Sequence, residues 1–190
     1  MKIEIIESND KYLKFNFIAP KKGYANALRI YGAYSVPTFA IDKVTIYENS
    51  SAMFDEYIAH RIGLIPITTP PKSKENMEIM FALDVTGPKV IYSRDLESRD
   101  VDVKVANGNI PIMKLAEGQR LRLDGKAVLG LGLRHVKFQS GIVSYEQKDN
   151  NYIFYVETFG QMPPIKIINN AIEKIKDDLG EFQKELSKKL

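Results

Sequence analysis

Residues 163–190 read PPIKIINNAIEKIKDDLGEFQKELSKKL, and the apolar positions Ile165, Ile168, Ile172, Ile175, Leu179, Phe182 and Leu186 step by 3, 4, 3, 4, 3 and 4. That spacing is a heptad seam sustained over three repeats of a helix. The leading prolines suit a first helical turn, and Lys184, Lys188 and Lys189 suit the last, where cations meet the negative end of the helix dipole. Only Gly180 opposes an unbroken helix. Burying seven such side chains is worth on the order of 10 to 20 kcal/mol as an upper estimate, at roughly 1.5 to 3 kcal/mol each. The seam can be buried against the chain's own sheet or against a partner helix, and a period of 3.5 favours a straight contact between helices over a globular stripe. Tyr24, Ala27, Leu28, Tyr31 and Tyr34 recur at helical spacing between Lys22 and Ser35, before Val36-Pro37 stops the pattern, and offer a second apolar face. An obligate dimer or heterodimer is the expectation.

Around these helices the chain reads as β. Ile3 and Ile5, then Leu13, Phe15 and Phe17, alternate with polar neighbours across a Ser8-Asn9-Asp10 turn and predict a hairpin. Phe39, Ile41, Val44 and Ile46 alternate in two phases that switch at Asp42-Lys43, as in a bulged strand. Met77 to Val85, Lys89 to Ser93, Val101 to Val105 and Gln119 to Leu129 follow as strands, separated by Gly- and Asn-rich turns. Ile142 to Glu146 and Tyr152 to Phe159 flank Lys148-Asp149-Asn150-Asn151 as a last hairpin. Asp100 and Asp102 alternate with valines and fit the solvent face of their strand.

With 44% hydrophobic and 27% charged residues the chain belongs with folded globular proteins rather than disordered ones. A net charge of +3 is too small a bias to define a nucleic-acid groove. The absence of cysteine removes disulfides, thiolate metal sites and cysteine nucleophiles. Acids within the first apolar stretch argue against a signal or transit peptide, and no run of 18 apolar residues occurs, so a cytoplasmic location without a membrane span is expected.

The densest chemistry is DEYIAHR, Asp55 to Arg61. Asp55, Glu56 and His60 could supply metal ligands, but the HExxH spacing is absent and no further ligand is suggested nearby. The same residues make a short helix with acids in its first turn, His60 and Arg61 in its last, and Phe54, Ile58 and Ile62 on one apolar face. Dinucleotide fingerprints, phosphate loops and serine hydrolase elbows are missing. No catalytic, cofactor-binding or metal-binding residue is expected. Ten tyrosines and the slight basic excess leave a stand-alone nucleic-acid-binding module as the alternative to a component of a larger assembly.

The wording of the sequence adds more. ANALR at Ala25 to Arg29, VPT and AID between Val36 and Asp42, and DE, AHR and GLIP between Asp55 and Pro66 closely resemble the signature of the D-type subunits of archaeal DNA-directed RNA polymerase, the family of the eukaryotic third-largest subunit and the bacterial alpha-subunit amino-terminal domain. DVTGP at Asp84, NIPIMKLAEGQ at Asn109 and VETFGQMPP at Val156 extend the resemblance over nearly the whole chain. The resemblance implies an α+β fold: a discontinuous dimerisation domain of a β-hairpin and two helices, residues 1–38 and 147–190, receiving an inserted, mainly β domain at 39–146. It implies heterodimerisation with subunit L, a platform for subunits N and P and the large catalytic subunits, and DNA contact only through the complex. Arg29, Asp55, Glu56, His60 and Arg61 are then expected to contact the larger subunits. Two departures stand out. Arg29 is followed by Ile30-Tyr31 where many relatives carry a second arginine, and Gly141 to Asn151 runs through without the cysteine-rich iron–sulfur insertion of many archaeal relatives, so no cluster is expected.

Overall fold

The computed structural model describes residues 2–18, 20–71, 73–74 and 76–189. In chain order the elements are β1 (Lys2–Ser8), β2 (Tyr12–Ile18), α1 (Lys22–Tyr34), β3 (Thr38–Asn49), α2 (Asp55–Gly63), β4 (Glu78–Thr86), β5 (Lys89–Tyr92), β6 (Glu97–Ser98), β7 (Pro111–Leu115), β8 (Arg120–Gly130), β9 (Gly141–Lys148), β10 (Asn151–Thr158) and α3 (Pro164–Ser187). They form two compact units. Unit 1 comprises Met1–Pro37 and Leu131–Leu190, and unit 2 comprises Thr38–Gly130. The architecture is α+β, as expected.

Unit 1 is an antiparallel sheet of order β1-β2-β10-β9 with two helices on one face. Alternation drives it: Leu13, Phe15 and Phe17 of β2 and Tyr152, Phe154 and Val156 of β10 all point to the helix side and are buried. Phe15 is paired with Phe154 in the ladder, and their rings stack at 4.9 Å. From the helices, Ala25, Leu28 and Ala33 of α1 and Ile167, Ile168 and Ala171 of α3 close this core. Gly32 permits the close approach of α1 to β9, since a Cβ there would lie 3.2 Å from Val143 Cγ2. The Ser140 hydroxyl also donates to the Gly32 carbonyl at 2.7 Å. The two helices are tied by Tyr31, whose hydroxyl donates to Asp178 at 2.9 Å, while Lys174 pairs with the same carboxylate at 2.9 Å.

Unit 2 is built on a sheet of order β3-β8-β4-β6 with a separate β5-β7 pair. Its first ladder rung joins Thr38 to Gly130, so the unit begins and ends at adjacent backbone positions. The phase switch read from sequence in β3 is a register irregularity between Ile41 and Lys43. Ile58 and Ile62 of α2 enter a core with Phe39, Ile41, Phe81, Leu83 and Leu123. Both ends of α2 are pinned. Asn49 Nδ2 donates to Asp55 at 2.7 Å and to the Met53 carbonyl at 2.8 Å. Arg61 Nε donates to the Ile112 carbonyl at 2.8 Å, and its Nη2 to the Pro111 carbonyl at 2.6 Å, so the guanidinium fastens the helix to β7.

Three expectations need correction. The second boundary falls after Gly130, not after residue 146, because β9 pairs along its whole length with β10 in the sheet of unit 1. Val101 to Val105 is no strand: Asp100 turns its carboxylate back onto the backbone N–H groups of Asp102 and Val103, at 2.8 and 3.0 Å, and Val105 makes only an isolated bridge to Ile67. The strand β7, which carries the acceptors for Arg61, was not expected.

Two outcomes follow from these ties. Hydrogen bonds from the Lys174 ammonium and then the Tyr31 hydroxyl hold the Asp178 carboxyl below its usual range, whereas Lys174 and Tyr31 are both raised, first by their bonds to Asp178. A depressed carboxylate stabilises the fold above the unfolded value of about 3.9 and loses that contribution as pH falls through the lower folded value. The stability gap between wild type and Asp178→Asn in urea unfolding is therefore expected at pH 7 and closes as pH drops below about 3.9. On the alkaline side the raised groups keep their contribution through about pH 10 and lose it above their folded values. For α2, Arg61→Ala removes both bonds to β7 and lowers stability by about 1 to 2 kcal/mol in the same assay.

Candidate interaction surfaces

The heptad seam of α3 lies on one face, but the protein covers only part of it. Ile168 is buried and Ile172 packs on the core of unit 1, whereas Leu179, Phe182 and Leu186 are 63%, 67% and 49% exposed. The helix is also longer than the strands of its sheet. The 24 residues of α3 span about 36 Å at about 1.5 Å per residue. The seven- and eight-residue strands beneath reach only about 24 to 27 Å at about 3.4 Å per residue. Gly180 does not interrupt the helix. Of the other residues expected at a dimer interface, Ile175 is half-buried and Ile165 is 41% exposed. On α1, Tyr24 is 53% exposed, Ala27 and Tyr31 are half-buried, and Leu28 is buried. Leu28 and Ile168 thus belong to the core of unit 1, and of the residues expected at the interface those most open to a partner are Tyr24, Ile165 and the far end of α3.

In unit 2 the DEYIAHR segment separates in the same way. Asp55 and Arg61 are engaged by Asn49 and by β7, while Glu56 and His60 are exposed and their side chains have no partner among the described residues. Arg29, in unit 1, directs both Nε and Nη2 at Asn26 Oδ1, at 3.3 and 2.9 Å. Phe54, read from sequence as part of the buried face of α2, is the residue before its first turn and is 72% exposed. With Tyr57, 64% exposed and 6.4 Å away between ring centroids, it borders a groove of about 450 Å³ shared with Met53, Met113 and Lys114. Two adjacent uncovered aromatics of this kind are the side chains that most often anchor protein interfaces.

The outer face of the β3–β8–β4 sheet carries alternating charges. Arg120 pairs with Asp84 at 2.8 Å and Glu48 at 3.3 Å, and Lys126 with Glu78 at 2.8 Å. Arg122 stacks over the Tyr47 ring, whose hydroxyl donates to Asp124. The hydrogen bond from Arg120 holds the Asp84 carboxyl below its usual range and raises Arg120. The cations of this ladder are matched by carboxylates, which is a solvated sheet face rather than a stripe for a phosphate backbone. Among the described residues no three His, Asp or Glu side chains converge as metal ligands, and no helix is long and apolar enough to cross a membrane.

Residues 44–152 match the family described as the RNA polymerase Rpb3/RpoA insert domain, a span that takes in most of unit 2 and continues through β9. DNA-directed RNA polymerase subunit Rpo3 of Methanocaldococcus jannaschii is 44% identical over 164 residues, covering 86% of this chain and 84% of that protein. The Rpo3 of Pyrococcus furiosus is 45% identical over 153 residues, covering 77% of this chain and 59% of that protein. The Rpo3 of Natronomonas pharaonis is 36% identical over 195 residues, covering 98% of this chain and 77% of that protein. The chain therefore spans about three fifths of the length of the Pyrococcus relative and most of the other two. A family match over more than half the chain, and identity that continues through both units, agree with the two-unit architecture: the chain belongs to the Rpo3 family of DNA-directed RNA polymerase subunits.

Proposed function

We propose that this chain is a non-catalytic, cytoplasmic subunit of a DNA-directed RNA polymerase that heterodimerises with subunit L through unit 1 and serves as the platform on which subunits N and P and the large catalytic subunits assemble. The observation that carries the reading is the uncovered end of α3. Three large apolar side chains on one helix face, Leu179, Phe182 and Leu186, stand in water beyond the edge of their own core. Half to two thirds exposed, they forfeit roughly 1 to 2 kcal/mol each, a loss that a partner helix removes. Nucleotidyl transfer and DNA contact belong, on this reading, to the assembled enzyme. With no cysteine in the chain, it brings no iron–sulfur cluster to that complex. The larger subunits meet unit 2 at Phe54 and Tyr57, with the exposed Glu56 and His60 at the rim of the same surface. A stand-alone nucleic-acid-binding module is the weaker reading, because the charge ladder on the sheet of unit 2 is self-neutralised.

Two experiments test this. Leu179→Lys/Phe182→Lys, co-expressed with the cognate subunit L and run on gel filtration, is expected to elute without L while its circular dichroism stays that of wild type; co-elution removes the main support. Phe54→Ala/Tyr57→Ala is expected to pair with L normally but to fail in reconstitution with the large subunits, with an affinity loss of about a hundredfold or more for an aromatic pair of this exposure. Unimpaired reconstitution moves that contact elsewhere.

A further inference from the structure

In unit 2 the turn that leads into β7 carries Asn107-Gly108, the only asparagine–glycine pair in the chain. A glycine has no Cβ to shield its own nitrogen, so this order of residues leaves the asparagine side chain open to attack by the next backbone nitrogen. The fold adds to that opening. Asn107 is exposed, and the Asn109 N–H donates to its Oδ1 at 3.0 Å, closing a turn that folds the side-chain amide back over the following peptide and brings Cγ toward the Gly108 nitrogen. The same bond puts a donor on the oxygen where negative charge develops when Cγ is attacked. The Gly108 N–H meets no acceptor among the described residues, so no hydrogen bond has to break before its proton leaves. Arg94 lies against this glycine: a Cβ there would stand 3.0 Å from Arg94 Cβ. Its guanidinium donates to Asn109 Oδ1 at 2.8 Å, which fixes a positive charge one residue from the reacting amide.

We propose that Asn107 is a site of spontaneous covalent modification, where the turn holds the side-chain amide in position to be lost, whichever subunits the chain binds. Hydroxide from solvent removes the Gly108 proton. The nitrogen then forms a bond to Asn107 Cγ, the Cγ–Nδ2 bond breaks, and ammonia departs with a proton returned by water. Water opens the resulting cyclic imide at one of two carbonyls. Opening at the side-chain carbonyl leaves an aspartyl residue; opening at the main-chain carbonyl routes the backbone through Cγ and frees the α-carboxylate at position 107. Either product sets a new negative charge at a groove of about 450 Å³ that Gly108 lines together with Arg94 and Lys104. The rerouted product also strains a latch. The buried Ser93 donates its hydroxyl to the Asn107 carbonyl and accepts from the Ile110 N–H at 3.1 Å, while the Arg94 N–H donates to the Gly108 carbonyl at 3.2 Å. One added backbone atom between positions 107 and 108 disturbs that register just ahead of β7, the strand that receives Arg61.

The test incubates the full folded chain at mildly alkaline pH and follows its tryptic peptide from Val105 to Lys114 by mass spectrometry, beside a synthetic peptide of the same sequence. The mass increase of an amide-to-acid conversion is expected at position 107 of the folded chain, at a rate at least equal to that of the free peptide, in which Cγ and the nitrogen meet only transiently. Enzymatic methylation of isoaspartyl carboxylates from S-adenosylmethionine is expected to label aged wild type and to label aged Asn107→Gln at least tenfold less, because the longer side chain must close a larger ring. Survival of Asn107 in the folded chain over a period that converts the free peptide overturns the proposal, since the fold then protects the residue. Equal labelling of Asn107→Gln and wild type overturns it as well, because the isoaspartyl linkage then lies elsewhere in the chain.

Discussion

Everything in unit 1 depends on one pairing, that of β2 with β10. Phe15 and Phe154 are ladder partners far apart in the chain, and their stacked rings sit at the centre of the unit's core. A flexible connection of such length would tax the closure, although the cost grows only as the logarithm of loop length. Unit 2 removes most of even that, because its first and last residues, Thr38 and Gly130, are themselves a ladder pair. Once β3 and β8 have zipped, the connection between the two halves of unit 1 behaves as a short turn. The discontinuity of the domain in sequence is therefore a small perturbation in space.

The division of labour among the apolar residues follows from lengths rather than from composition. A helix of three and a half heptads laid on strands of seven or eight residues must overrun them. The part of the seam over the sheet is spent on folding, as Ile168 shows, and the remainder is left for association. At α2 a comparable separation occurs within the eight residues from Phe54 to Arg61. Arg61 and Asp55 are consumed in holding the helix, and the aromatics beside them stay open. Two of the residues that looked most chemical in the sequence, Asp55 and Arg61, are structural, whereas Glu56 and His60 stay exposed.

How much of this was legible beforehand depended on whether the signal was local. Alternation identified β2, β4 and β10, and periodicity identified all three helices, because each pattern reports which side of an element is apolar. The heptad named the correct face of α3 but could not say where its cover ends, since that is fixed by the length of strands elsewhere in the chain. The boundary after Gly130 was missed because the sequence of β9 does not state which sheet it joins; only its pairing with β10 does. β7 escaped notice because its neighbours Ile112 and Met113 are both buried, which breaks the alternation. At Asp100 a turn built from a side-chain carboxylate imitated the polar–apolar rhythm of a strand.

The split layout of unit 1 also has a meaning for the chain as it leaves the ribosome. β1, β2 and α1 emerge before unit 2, with Leu13, Phe15 and Phe17 on one face of their strand. Their central neighbour β10 is more than a hundred residues behind, a delay on the order of ten seconds at ordinary rates of synthesis. Through that interval the nascent hairpin holds an open strand edge and an apolar face, while unit 2 can collapse on its own core. The apolar face of the hairpin can therefore be covered in full only after synthesis has passed through unit 2 and supplied both β10 and α3.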